Sequence, residues 1–527
     1  MIIFVNIMLN FFYAILSGLL LAFSWPDSGF SPLIFIAFIP LLILEDNFYR
    51  DKQKKSAYVL FLYSMLSFFI FNMITTYWIY HATLFGAIMA FIINSLIMSS
   101  VFLLFHLAKY YLGNRLGMFS FIFIWLSMEY LHLNWDLSWP WLTLGNVFAN
   151  FPILIQWYEY TGVLGGSFWV LIINTLILRY IIYKRDMFQF FSILFWFLVP
   201  ILISLYIYQD IITSEDDKID IVIAQPNIDP YEDKFRIDPK HQIDNFISNV
   251  RVKLKEETKL LLCPETMIQE GIWENKIESS YSVQSLRDLQ KDFPNLNILV
   301  GASSYNIVSK NKNNKYSIRS FLDSDQFYEV YNSAIFIPNL GSIDIYHKTE
   351  LVPGVETTPF PWLFNKVSAF SVDLGGISGS LGSDNILNTF KNKELNILPL
   401  ICYESIYGDI VINKSFNLIC IITNDGWWKN TAGYKQHLAY ARIRAIENRK
   451  SVVRSANTGI SANINIRGDI IDKTEWDMVS FINVEANLNN HVTFYNVFGD
   501  YIGRISSFIS LIILLTVFVK SKIKPAN

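Results

Sequence analysis

Charged residues are scarce in this chain. Aspartate, glutamate, lysine and arginine together make up 17% of its 527 residues, whereas soluble domains carry about 25%. Hydrophobic residues make up 52%, and the apolar excess lies near the two ends. This shortage of charge excludes an ordinary soluble protein and predicts a membrane protein that carries a soluble domain.

Cysteine and histidine are also rare, which limits the kinds of site that the chain can build. Its three cysteines, Cys263, Cys402 and Cys420, have neither the number nor the spacing of a disulfide framework or a metal site. The seven histidines are scattered and predict no ligand cluster. A net charge of −3 gives no reason to expect a nucleic-acid partner.

Eight apolar stretches predict membrane spans, because a spanning helix needs about 20 apolar residues. They lie near residues 3–24, 30–45, 57–80, 85–108, 116–133, 163–182, 187–208 and 503–519. Lysine and arginine occur in alternate connecting segments: they are present in 46–56, 109–115, 179–186 and the C-terminal tail, and absent from 25–30, 81–85 and 134–162. The positive-inside rule then predicts both termini in the cytoplasm and residues 209–502 on the outer face.

Between the last two spans, strand-like apolar runs alternate with helical stretches near residues 240–256, 281–292 and 434–449. This alternation predicts an α/β domain with a sheet core. The predicted strands are Lys218–Ala224, Lys259–Cys263, Leu296–Ala302, Val330–Pro338, Ser342–Tyr346, Leu395–Cys402, Leu418–Thr423, Ser451–Ser455 and Ser461–Ile466. We therefore divide the chain into a transmembrane helical domain at 1–210, a catalytic domain at 211–500, and a C-terminal transmembrane helix with a cytoplasmic tail at 501–527.

Three of these strands end beside a reactive side chain. Cys402 closes one strand, Glu265 follows Pro264 after a second, and Lys348 follows a third. A thiol has a pKa of about 8.5 and needs a base or a positive neighbour to become a nucleophile. A carboxylate would accept the thiol proton, and an ammonium would stabilise the thiolate and an oxyanion. Taken one at a time, a buried structural cysteine and two solvated charges explain the same residues, so both interpretations stay open at this point.

The sequences around these residues resemble the nitrilase (carbon–nitrogen hydrolase) superfamily. They read Cys263-Pro264-Glu265-Thr266, Tyr346-His347-Lys348-Thr349-Glu350-Leu351-Val352-Pro353 and Ile401-Cys402-Tyr403-Glu404, with Thr423-Asn424-Asp425-Gly426-Trp427 further on. Seven predicted spans before this domain and one after it resemble the layout of the apolipoprotein N-acyltransferase family. The resemblance implies a membrane α-helical bundle with a nitrilase-like α-β-β-α sandwich domain on the extracytoplasmic face of the inner membrane.

The resemblance also implies a reaction. Cys402 would take an acyl chain from a membrane phospholipid, typically phosphatidylethanolamine, as a thioester. It would then pass the chain to the α-amine of the N-terminal S-diacylglyceryl cysteine of an apolipoprotein. Glu265 would act as general base and acid, and Lys348 would hold the oxyanion with the backbone N–H of Tyr403. Glu356 would orient Lys348. The site would be shaped by Tyr403 and Glu404, and no metal or organic cofactor is needed.

Two other functions remain in competition. One is a membrane-tethered amidase or nitrilase that hydrolyses a small amide, although a single anchor would suffice for such an enzyme. The other is a transporter or structural membrane protein with an inactive outer domain. The complete set of Glu265, Lys348 and Cys402, together with the scarcity of charge within the spans, argues against this last interpretation.

Overall fold

The computed structural model describes residues 2–27, 29–51, 56–182, 186–211, 218–231, 236–309, 316–322, 324–361 and 380–523. Several basic residues behind the predicted orientation lie outside the described residues: Lys52, Lys54, Lys55, Lys184, Arg185 and Lys524. The chain forms two compact units. One combines Met1–Asp210 with Phe498–Asn527, and the other is Ile211–Val497.

The first unit is helical, as expected of apolar sequence that must satisfy its backbone hydrogen bonds internally within a bilayer. Its helices are α1 (Ile2–Phe23), α2 (Ile34–Ala37), α3 (Ile39–Arg50), α4 (Ala57–Thr76), α5 (Ile79–Ala82), α6 (Leu84–Leu112), α7 (Asn114–Leu131), α8 (Tyr158–Ile182), α9 (Met187–Asp210) and α14 (Tyr501–Ile523). The loop between α7 and α8 contains three short 3-10 turns.

Seven segments within the described residues are long and apolar enough to cross a membrane. They are Val5–Phe23, Ser31–Arg50, Ala57–Thr76, Leu84–Leu112, Tyr158–Ile182, Met187–Asp210 and Tyr501–Ile523. They correspond to seven of the eight predicted spans. The eighth, predicted at 116–133, coincides with α7, an 18-residue helix whose hydropathy is lowered by Asn114, Arg115 and Glu129. This helix packs against α6 and α14.

The second unit contains a mixed eight-stranded sheet with the order β14-β1-β2-β4-β6-β5, in which β3 pairs with β4 and β7 pairs with β6. Its strands are β1 (Lys218–Gln225), β2 (Leu260–Leu262), β3 (Ile268–Trp273), β4 (Asn297–Val308), β5 (Arg319–Ser320), β6 (Phe327–Ile337), β7 (Asp344–His347) and β14 (Ser480–Asn487). Strands β1, β2 and β4 run parallel, so their carboxyl ends share one edge.

A second sheet of six strands has the order β13-β12-β11-β10-β9-β8. Its strands are β8 (Phe390–Lys391), β9 (Asn396–Ile401), β10 (Leu418–Thr423), β11 (Val452–Ala456), β12 (Ala462–Ile464) and β13 (Ile470–Lys473). The central strands β9, β10 and β11 are parallel. Strands β9 and β10 are almost continuously apolar, as expected of parallel strands that are buried on both faces.

Four layers result from the packing of these sheets with the remaining helices, α10 (Pro239–Arg251), α11 (Tyr281–Asp292), α12 (Ala432–Asn448) and α13 (Phe494–Phe498). One apolar cluster joins the two sheets, for example Ile223 with Leu400. Another joins the first sheet to α10 and α11, for example through Phe246 and Leu286, while α12 packs against β11 and β12. The predicted fold class, a membrane helical bundle with a nitrilase-like α-β-β-α domain, is confirmed.

Candidate active site

Cys402 stands at a sharp turn. Strand β9 ends at Ile401, and Cys402 begins a 3-10 turn that runs to Ile406. The φ angle of Cys402 is 50°, in the left-handed region that a residue with a side chain rarely adopts. Because backbone strain of this kind concentrates at functional sites, the turn supports the predicted role of the thiol.

Glu265 follows β2 and lies against β4. The backbone N–H of Gly301 donates to Pro264 O at 3.1 Å, and Glu265 is 7% exposed. A Cβ atom on Gly301 would lie 2.6 Å from Glu265 Cα and 2.5 Å from Thr266 N. The turn that carries the carboxylate therefore fits against β4 only because residue 301 is glycine.

Lys348 follows β7 and is 1% exposed. Its backbone N–H donates to Asn332 O at 2.9 Å, which continues the pairing with β6. Its Nζ atom lies 2.9 Å from Glu356 Oε2 and 3.7 Å from Glu265 Oε1. The structure thus brings Glu265 together with Lys348 and Glu356, which lie far from it in sequence.

Asn332 completes this cluster, and sequence reasoning missed it. Its Nδ2 donates to Glu265 Oε1 at 2.7 Å and to Glu356 Oε1 at 2.9 Å. One amide therefore fixes the two carboxylates that flank the ammonium. The available signal was an asparagine within the largely buried β6, since a buried amide there must find hydrogen-bonding partners.

The charges of this cluster act on the thiol. Burial raises the pKa of Cys402, the charge of Glu265 raises it further, and the charge of Lys348 opposes both. Burial works to lower the pKa of Lys348, but Glu356 and Glu265 outweigh it, so the pKa is raised and the ammonium stays charged. Burial thus favours the protonated thiol, and the positive charge of Lys348 favours the thiolate.

Within the part of the chain that the structure describes, Cys263 and Cys420 differ from Cys402 because burial alone, and no charged group, shifts their pKa. Both are fully buried, and burial raises the pKa of each thiol. A thiol kept protonated in apolar surroundings is a poor nucleophile. Among the three cysteines, Cys402 is therefore the candidate nucleophile.

Glu404 has a connecting role. Its Oε1 accepts hydrogen bonds from the Tyr346 hydroxyl, from Thr349 N at 2.7 Å and from Thr349 Oγ1 at 2.9 Å. Its Oε2 accepts from Ile401 N at 2.7 Å. The side chain thus ties the end of β9 to the turn that follows Lys348. Neighbouring Tyr403 is buried, and its ring meets that of Tyr407 edge-on at 5.3 Å.

The carboxyl group of Glu350, at the edge of the site, has a raised pKa whose effect on stability can be measured. Burial, with the charges of Asp409 and Glu404, raises its pKa from 4.5 to about 7. A carboxyl group whose folded pKa is raised reduces stability as the pH rises through that range, because the folded protein then holds the charged form at a cost. We expect Glu350→Gln to raise the thermal unfolding midpoint by a few degrees at pH 8, corresponding to roughly 1–2 kcal/mol.

At pH 5 the same substitution should have little effect, because Glu350 is then protonated in the folded protein. The measurement is thermal unfolding of the detergent-solubilised protein at both pH values. Glu278→Gln serves as the matched control, since the Glu278 side chain is 64% exposed. An equal shift at pH 5 and pH 8 would contradict the assigned environment of Glu350.

Comparison with protein families decides the identity of the chain. The model of the apolipoprotein N-acyltransferase N-terminal domain matches residues 17–176, and the carbon-nitrogen hydrolase model matches residues 223–490. The chain belongs to the apolipoprotein N-acyltransferase family. It is an acyltransferase of the nitrilase superfamily, and its apolar helices are those of an integral membrane protein.

Relatives in this family match over nearly the whole chain. The apolipoprotein N-acyltransferase of Chlorobaculum tepidum is 28% identical and covers 97% of each chain. Apolipoprotein N-acyltransferase 1 of Treponema denticola is 27% identical and covers 99% of each. Among solved structures, a carbon-nitrogen hydrolase superfamily protein of Xanthomonas campestris is 16% identical with a TM-score of 0.35, and covers 51% of this chain and 91% of its own.

Proposed function

We propose that this apolipoprotein N-acyltransferase moves an acyl chain from a membrane phospholipid, through a thioester on Cys402, to the α-amine of the N-terminal S-diacylglyceryl cysteine of apolipoproteins. The observation that carries the proposal is the buried cluster of Glu265, Lys348 and Glu356, together with the action of the Glu265 and Lys348 charges on the thiol at the end of β9. Such a cluster supplies a base, a cation and a nucleophile together.

The first half-reaction forms the thioester. Glu265 accepts the Sγ proton of Cys402, and the thiolate attacks the ester carbonyl carbon of the phospholipid. Lys348 Nζ and the backbone N–H of Tyr403 stabilise the oxyanion. The ester C–O bond then breaks, Glu265 returns the proton to the departing oxygen, and a lysophospholipid leaves. Glu356 keeps the ammonium in place through its 2.9 Å contact.

The second half-reaction forms the amide. An α-amine has a pKa of about 7.7–8.0, so a useful fraction is neutral and nucleophilic near neutral pH. This amine attacks the thioester carbonyl, and the same two groups hold the oxyanion. Glu265 takes a proton from the amine and gives one to the departing Sγ, which restores the free thiol. No metal or organic cofactor is needed for either step.

Both substrates carry acyl chains, which accounts for a catalytic domain joined to a membrane bundle. Removing a chain from the bilayer costs about 0.8 kcal/mol per CH₂, so the reaction has to take place at the membrane surface. We propose a cytoplasmic-membrane enzyme with both termini in the cytoplasm and the catalytic domain on the periplasmic face. Phosphatidylethanolamine is the proposed acyl donor.

Acyl labelling tests the thioester directly. Purified protein is incubated with phosphatidylethanolamine that is radiolabelled in its acyl chains, and a label that neutral hydroxylamine releases should appear on the protein. Cys402→Ser should remove this label, because a hydroxyl in the same place is a far weaker nucleophile. Cys420→Ala is the matched control, since that thiol is buried away from the cluster, and it should retain the label.

Adding a diacylated lipopeptide should then move the label from the protein to the peptide amine. Label on the protein followed by release of free fatty acid, without transfer to the peptide, would favour a membrane-tethered hydrolase. Absence of any hydroxylamine-labile label on the wild-type protein would contradict the thioester mechanism.

A further inference from the structure

A buried polar network lies next to Cys402, outside the cluster of Glu265, Lys348 and Glu356. It consists of Ser405, Thr423, Asp425, His437 and Arg454, each of which is fully buried. We name this set the His437 network. Buried polar groups are costly unless they are hydrogen-bonded, so its contacts indicate what the network holds in place.

The network reaches the backbone of the nucleophile. His437 Nε2 lies 3.1 Å from Cys402 O and 2.8 Å from Ser405 Oγ. The Ser405 hydroxyl also donates to Cys402 O at 2.7 Å. Because a carbonyl oxygen only accepts, the imidazole binds it with a proton on Nε2. The carbonyl of Cys402, the residue in the left-handed conformation, is therefore held by the side chains of His437 and Ser405.

Asp425 and Arg454 hold the imidazole itself. His437 Nδ1 lies 3.0 Å from Asp425 Oδ1, and Arg454 Nη2 donates to Asp425 Oδ2. Burial works to raise the pKa of Asp425, but the charges of Arg454 and His437 outweigh it, so the pKa is lowered and the group is a carboxylate. The ring orientation is thus fixed at Nδ1, the ring nitrogen that does not contact Cys402, because a hydrogen bond at one ring nitrogen sets the role of the other.

The side chain of Cys402 lies next to the same network. The hydroxyl of Thr423 donates to Asp425 Oδ1 at 3.0 Å, and Thr423 acts to lower the pKa of the Cys402 thiol. Parallel pairing of β9 with β10 places Ile401 beside Ile422, so Cys402 and Thr423 are neighbours at the ends of adjacent strands. The network therefore contacts the backbone of the nucleophile and lies beside its side chain.

A non-glycine residue at positive φ is strained and persists only where its surroundings hold it. We propose that His437 is a positioning residue for the nucleophile. By holding the Cys402 carbonyl it keeps residue 402 in the left-handed conformation, and this conformation aims Sγ at Glu265 and Lys348. The proposal rests on the proposed role of Cys402 as the nucleophile.

The test compares three variants by two readouts. His437→Ala removes the contact, His437→Gln keeps a donor near the position of Nε2, and Ser405→Ala removes the second hydrogen bond to the same carbonyl. One readout is the rate of iodoacetamide alkylation at Cys402, followed by peptide mass spectrometry, which needs no lipid. The other is the single-turnover rate of acylation, measured over a range of phospholipid concentrations.

We expect His437→Ala to slow both alkylation and acylation by roughly 10- to 100-fold, because misplacement of a reacting group by about 1 Å has an effect of this size. The phospholipid concentration at half-maximal rate should stay unchanged, since His437 holds the thiol and not the lipid. His437→Gln should recover most of both rates, and Ser405→Ala should lower them by several-fold.

Cys263 and Cys420 report on folding in the same experiment, because both are fully buried in the native protein and should stay unmodified. Wild-type rates in His437→Ala and Ser405→Ala would overturn the proposal. So would a loss in the glutamine variant as large as in the alanine variant, because the imidazole would then act through packing alone. If the wild type gives no acyl label while alkylation still depends on His437, the proposed reaction fails and the positioning role stands.

Discussion

Replacing Lys348 with alanine is expected to lower the rate of Cys402 acylation by about 10²–10³-fold or more, the usual cost of removing one oxyanion-stabilising donor. The ammonium is 1% exposed and lies between Glu265 and Glu356. Without it, the thiolate and the oxyanion would form beside two carboxylates with no positive charge to offset them. Single-turnover transfer of labelled acyl chains from phosphatidylethanolamine measures the effect.

The fold should survive this substitution, because it removes charge stabilisation more than packing. Glu265 and Glu356 remain joined through Asn332, and one of them can take up a proton to relieve the repulsion. Lys348→Met, which keeps most of the side-chain volume, should be as inactive as the alanine variant. Lys291→Met is the surface control, since Lys291 is 77% exposed. Wild-type turnover in Lys348→Met would refute the assigned role.

Two of the strands that carry the site, β2 and β9, were predictable because each is a short apolar run, and β7 was predictable from the alternating residues that lead to it. Strands β2, β7 and β9 end within three residues of Glu265, Lys348 and Cys402, as the sequence predicts. What the structure adds is that the ends of these three strands lie close together, which depends on pairing between strands that are distant in sequence. Pairing between β1 and β14, for example, joins Lys218 to Asn487, and nothing in a local pattern specifies such a partner.

Other strands were missed because their burial is partial. Strand β14 is mostly half-buried or exposed at the edge of the first sheet, and β13 is exposed at alternate positions. Such strands carry few apolar residues, so their alternation is weak. Strand β3 was missed for a related reason, since its central residues are Gln269, Glu270 and Gly271. Hydrophobic alternation along the sequence identifies strands that have a buried face. It misses strands that are partly exposed, such as those at the edge of a sheet.

Networks of buried polar residues were the least predictable part of the site. The pair Gln436-His437 stands in a helix with only a weak amphipathic pattern, and sequence alone gives no partner for the imidazole. Its contacts with Cys402 and Asp425 appear only when α12 packs beside the ends of β9 and β10. The role of Glu404 was likewise predicted only as shaping the site, because which donors a carboxylate meets depends on tertiary structure.

Replacing Glu404 with glutamine should lower both stability and activity strongly, although the two side chains have the same shape. Every hydrogen bond that Glu404 makes at 2.9 Å or less is one that it accepts. A glutamine amide presents one oxygen and one NH₂ group. If the NH₂ group takes the place of Oε1 it faces Thr349 N, and if it takes the place of Oε2 it faces Ile401 N. Neither orientation satisfies both backbone donors.

An unsatisfied buried donor costs about 1–3 kcal/mol, and here two donors would face each other. We expect Glu404→Gln to lower the free energy of unfolding by roughly 2–4 kcal/mol, which corresponds to a fall of about 3–7 °C in the unfolding midpoint for a domain of this size. Acylation should fall as well, because the connection between the end of β9 and the turn after Lys348 is lost. Thermal unfolding and single-turnover acylation of the same preparation measure both effects.

Glu257→Gln is the control, since Glu257 is 56% exposed and should behave as wild type. An unchanged midpoint in Glu404→Gln would mean that the carboxylate does not connect the two strand ends.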